Sequence, residues 1–93
     1  GTRNDASLSA DARAGRALAG DLCAGCHAID RAGNSANPAA PPFRSILSRL
    51  STAELQQKLS TGALMGHPEL PTVHLSAQGA RELVAWLEAI REP

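Results

Sequence analysis

Two cysteines and a histidine stand together in the string Cys23-Ala24-Gly25-Cys26-His27, and the 93-residue chain has no other cysteine. The spacing puts two thiols on one short turn with an imidazole directly behind them. That is the pattern of a c-type haem attachment site. Two thiols on one turn can reach neighbouring porphyrin vinyls and form thioethers. The next residue then lies under the ring, where its imidazole can bind iron. Other uses of these residues compete. A CxxC pair can be a local disulfide or a thioredoxin-like redox couple, but that motif opens a helix in a strand-rich domain, and no strand-like alternation occurs here. A zinc site would need Cys23, Cys26 and two of His27, His67 and His74. His67 and His74 have six residues between them, where three to five are usual.

These residues need a scaffold, and the composition says how little the chain brings to it. Hydrophobic residues make up 43%, but there is one Trp, one Phe and no Tyr. So small a chain, so poor in large side chains, buries little area and calls for a staple. A flat, apolar, covalently held haem would serve as the missing core. Nine basic residues balance nine acidic ones, which leaves no basic stripe for phosphates and excludes a nucleic-acid binder held by charge. No apolar run approaches the roughly 20 residues that cross a bilayer. The chain begins at Gly1 and has no signal peptide, so a processed form with its leader removed is expected. Residues 1–8 read as a flexible N-terminus and 9–93 as one domain.

The elements follow from local signals. Ser9 can cap a helix running to about Leu22, with Asp11 in the first turn where the helix dipole favours negative charge. Leu18 and Leu22 share a face with Ala14. Gly15 weakens a helix, so close approach of another helix is its expected reason. Residues 30–42 form a loop rich in Gly, Asn and Pro. Phe43, Ile46, Leu47 and Leu50 recur at helical spacing. Ser51 and Glu54 make a capping box for the next helix, with Leu50 and Leu55 as a hydrophobic staple, and Leu55 and Leu59 as its buried face. A second loop spans 60–75. Ser76 can cap the last helix, where Ala80, Leu83, Val84, Leu87 and Ile90 line one face and Trp86 borders it. Trp86 and Phe43 read as core, a core that includes a haem edge. The predicted fold is all-α, about four short helices wrapped around one haem.

At this point the chain resembles a class I cytochrome c of the small bacterial monohaem kind, from Ala14 to about Ile90. Gly15 stands eight residues before Cys23, where that family keeps a glycine at the crossing of its first and last helices. Leu83 and Trp86 match the apolar and aromatic positions of that crossing. Ala39-Ala40-Pro41-Pro42-Phe43-Arg44 resembles the loop after the haem motif. The resemblance implies that the Pro41 carbonyl accepts the hydrogen bond of the His27 ring and fixes its tautomer. It also implies that Arg44, with Arg49 as a further candidate, lies near a propionate, while Phe43 and Trp86 keep the place at the haem edge that the core reading gives them.

One position departs from the pattern. The family's sixth iron ligand is a methionine on the second loop, and counting back sixteen residues from Trp86 reaches Leu70. Gly66-His67-Pro68-Glu69-Leu70-Pro71 reads like that loop with Leu in the methionine's place, over the haem. Leucine cannot ligate iron. The single methionine, Met65, lies five residues upstream, and reaching the iron would shift up to roughly 17 Å of extended chain. Met65 is the first choice for the ligand. His67 or His74, giving a bis-histidine haem, and no protein ligand at all are the alternatives.

The expected function is a non-enzymatic, monomeric electron carrier bearing haem c. His27 and Met65 would bind its iron, and Cys23 and Cys26 would hold the ring. The resemblance places it in the bacterial periplasm, passing one electron at a time between redox proteins such as an oxidoreductase or a terminal oxidase. One alternative is a CO- or NO-binding sensor whose distal site is open because Leu70 stands in the methionine's place; another is a haem domain or subunit of a larger redox enzyme.

Overall fold

Serine hydroxyls set the helix starts. The computed structural model describes residues 8–61 and 75–91. Ser9 is extended, and its Oγ accepts from the Ala12 N–H at 3.0 Å, which opens α1 (Ala10–Leu22). Such a hydroxyl satisfies one of the donors a helix start leaves orphaned. Ser51 and Glu54 close the capping box, each side chain accepting the other's backbone N–H at 3.1 Å, at the head of α2 (Thr52–Thr61). Ser76 Oγ accepts from the Gly79 N–H at 3.0 Å and opens α3 (Ala77–Ile90). Leu8, assigned by the sequence to the loose N-terminus, is buried, and its carbonyl accepts from Arg13 at 2.8 Å.

The segment expected to be a helix over 43–50 is a 3-10 helix, Phe43–Ser48. Pro42 precedes it, and Ser45 and Ser48 turn their hydroxyls onto the carbonyls three residues back, at 2.9 and 2.6 Å. Those bonds compete with α-helical ones and keep the piece short and tight.

α1 packs chiefly against α3. The contact face of α1 is Ala12, Gly15 and Ala19, not the Ala14-Leu18-Leu22 face. A Cβ on Gly15 would overlap the Glu82 carbonyl and stand 3.0 Å from the Leu83 Cα. A crossing that close admits only the smallest side chains, so the two leucines are turned aside. Leu18 is half-buried, and Leu22 is 43% exposed. The core is completed by Leu83, Val84, Leu87 and Ile90 of α3, Leu55 and Leu59 of α2, and Phe43 and Leu47. The described residues are helices and loops with no strand, an all-α fold.

Candidate haem site

The end of α1 coils directly into the thiol-bearing turn. The Cys23 and Ala24 N–H groups both donate to the Ala19 carbonyl, at 2.9 and 3.0 Å. The Cys23 carbonyl in turn accepts from Cys26 and His27, at 3.1 and 3.0 Å. One helix end therefore presents all three residues, and no side chain had to be brought from elsewhere. Cys23 is half-buried and Cys26 exposed, and they are not joined as a disulfide. Burial raises the Cys23 thiol above its ordinary pKa, because low dielectric disfavours a thiolate.

The loop over 30–42 folds back under this turn. It brings the Pro41 carbonyl to 2.6 Å from His27 Nδ1. A carbonyl only accepts, so Nδ1 carries a proton, which turns Nε2 into the atom that a metal would take in the neutral ring. The Phe43 ring packs beside the imidazole, centroids 5.1 Å apart and tilted by 50°. Three bonds tie loop to turn: Asn37 N–H to the Cys26 carbonyl at 3.0 Å, Phe43 N–H to the Ala28 carbonyl at 2.9 Å, and Ala28 N–H to Ser35 Oγ at 2.9 Å. Gly33 has a φ of 106°, which a side chain would strain, and its carbonyl accepts from Arg44 Nη1 at 3.0 Å. The Arg44 contact seen here braces the loop backbone. Arg49 is exposed.

Trp86 is buried, and its Nε1 donates to the Ile29 carbonyl at 2.8 Å. It meets the site's segment through Ile29, two residues beyond His27. On its outer side the Arg16 and Arg31 guanidiniums lie 5.7 and 5.9 Å from the ring. Arg16 is also paired with Asp30 at 3.1 Å, and these groups with Ala32 line a shallow cleft. Met65, His67, Leu70 and His74, the residues on which the sixth-ligand reading turns, lie outside the described residues.

The fold thus brings Cys23, Cys26, His27, Pro41 and Phe43 together, and ties Arg44 to the loop through Gly33 and Trp86 to the segment before it through Ile29. Sequence reasoning read Ser35 and Asn37 only as turn residues of the loop and did not foresee their bonds to Ala28 and Cys26, nor the Arg16–Asp30 pair. Nothing local marks Ser35, whose partner is seven residues upstream.

The donor set fits a covalently held haem. The thiols are unjoined, the imidazole tautomer is set, and apolar side chains including Cys23, Ile29, Ile46, Leu50 and Leu75 flank the core only partly buried. Comparison with known proteins agrees. The family described as "Cytochrome C oxidase, cbb3-type, subunit III" matches residues 10–87. Cytochrome c-552 of Bradyrhizobium diazoefficiens (strain USDA 110) is 31% identical over 88 residues, covering 95% of this chain and 83% of that protein. No solved structure matches. With α1, α2, the thiol turn and most of α3 inside the matched range, the chain belongs to that family and is a small c-type cytochrome whose cofactor is covalently bound haem c.

Proposed function

We propose that this protein is a periplasmic carrier of single electrons between a donor and an acceptor redox protein, and not itself an enzyme. The bond between His27 Nδ1 and the Pro41 carbonyl, 2.6 Å, carries this reading. It orients the imidazole and would raise its donor strength, as expected of a permanent iron ligand. Haem supplies the one-electron iron couple when bound. Cys23 and Cys26 tether it, His27 ligates on the proximal side, and Met65 is the proposed distal ligand. An iron that kept His27 and a second protein ligand in both oxidation states would change geometry little on electron transfer, which suits a carrier.

The family description names a cytochrome c oxidase, which supports a terminal oxidase as the acceptor. Docking would rest on a small apolar surface near the attachment turn, where Leu22 stands exposed. No helix among the described residues is long and apolar enough to cross a membrane.

The test is the optical spectrum of the dithionite-reduced protein before and after carbon monoxide. No change is expected, because two protein ligands hold the iron. The weak near-infrared band of the ferric form then separates methionine from a second histidine. An immediate, large Soret shift would overturn the carrier reading and favour a gas-binding protein.

A further inference from the structure

Ala28, the residue that follows the imidazole, is held through both its N–H and its carbonyl. The Ala28 N–H donates to Ser35 Oγ at 2.9 Å, and the Ala28 carbonyl accepts from the Phe43 N–H at 2.9 Å. On the other side of His27, the Cys26 carbonyl accepts from the Asn37 N–H at 3.0 Å. His27 therefore sits between two anchored neighbours, and the anchoring chain is the same segment that carries the Pro41 carbonyl. Two of the three anchors are backbone groups that any sequence would supply. The third is a side-chain hydroxyl, so it is the one under the control of residue type.

We infer that Ser35 is a positioning residue for His27, holding Ala28 so that the imidazole Nδ1–H meets the Pro41 carbonyl at short range. This rests on the reading of His27 as the iron ligand. A short bond from Nδ1–H makes the imidazole a stronger donor, and a stronger donor favours the ferric state. Without the hydroxyl, the Ala28 N–H loses its acceptor, and the cost of an unmade bond pulls the peptide toward another partner. The imidazole then moves relative to Pro41, its bond lengthens, and the ferrous state gains.

The experiment is a redox titration of the holoprotein with Ser35→Ala and Ser35→Thr. Ser35→Ala should raise the midpoint potential by a two- to fivefold shift of the oxidised-to-reduced ratio. That shift reads as about 20–40 mV, from about 59 mV per tenfold for one electron. Ser35→Thr keeps the hydroxyl and should restore the wild-type value. Hydrogen exchange at the Ala28 amide should quicken in Ser35→Ala alone. If Ser35→Ala does not accumulate, Ser35→Cys, with a weaker acceptor of similar shape, is read in the same way. A lowered melting temperature with an unmoved potential, or Ser35→Thr behaving like Ser35→Ala, would overturn the inference. Proton NMR of the ferric wild type keeps the two readings apart. Hyperfine-shifted His27 ring signals with an unmoved potential reject only the role of Ser35, whereas their absence rejects His27 as ligand.

Discussion

Gly15→Ala adds one methyl group at the closest point between α1 and α3, and the loss of stability can be worked from the geometry. The added Cβ would overlap the Glu82 carbonyl and lie 3.0 Å from the Leu83 Cα. Carbon atoms prefer roughly 3.5–4.0 Å. Both obstacles are backbone, so no rotamer change relieves them and the helices must separate. A gap of roughly 0.5–1 Å forfeits a quarter to a half of each dispersion contact across it. The layer affected includes Ala12, Ala19, Ala80 and Leu83. Overpacking of this kind costs about 3 kcal/mol or somewhat more, and the better helix propensity of alanine returns about 1. A net loss of about 2–3 kcal/mol lowers the melting temperature of a domain this size by about 10–20 °C. Gly20→Ala is the internal control. Gly20 is exposed on the same helix, and its new Cβ would meet only the Ile29 Cδ1 at 4.0 Å. There the propensity term acts alone and should stabilise by about 1 kcal/mol. The assay is thermal unfolding followed by circular dichroism on the ferric holoprotein, in which the thioethers keep the cofactor attached. Gly15→Ala melting at or above the wild-type temperature would refute the close-crossing argument.

Three further outcomes are expected. Trp86→Phe removes the indole donor from the Ile29 carbonyl and should destabilise by about 2–3 kcal/mol in guanidinium denaturation; Asp30→Asn, which breaks only an exposed pair with Arg16, should cost under about 1 kcal/mol. Glu54 is held below its ordinary pKa, first by the Ser51 backbone N–H and then by the Ser51 hydroxyl. A depressed carboxyl stabilises the fold above its unfolded value and loses that contribution as pH falls through the folded value. Melting temperatures followed from neutral into acid pH should therefore fall more steeply for wild type than for Glu54→Gln, and parallel curves would contradict the assignment. With no net charge and Lys58 as its single lysine, the protein should associate with its partner at a rate that falls little as salt is added, and a steep stopped-flow dependence would count against docking on an apolar surface.

Some features were legible because their causes are local. Ser9, Ser51 with Glu54, and Ser76 each mark a helix start, since a capping hydroxyl and the N–H it accepts lie three residues apart in any sequence. The thiol turn is as local: CxxCH is itself one turn, and the sequence alone determined which residues would share it and which chemistry they suit. Gly15 announced a close approach because a glycine inside a helix otherwise only weakens it. The partner in that approach was not local. The sequence favoured the Leu18-Leu22 face of α1, and the fold buried Ala12, Gly15 and Ala19 instead, because the distance between helix axes selects side chains by size as well as by hydrophobicity. The 3-10 turn at Phe43–Ser48 likewise followed from serine hydroxyls competing for carbonyls, which an apolar period does not record. What only the tertiary structure decided is the support behind the imidazole. Ser35 against Ala28, Asn37 against Cys26, and Trp86 against Ile29 join residues 7, 11 and 57 positions apart. Such contacts depend on the path of the loop between helices, and a path is set by the packing of the whole chain, not by any stretch of it.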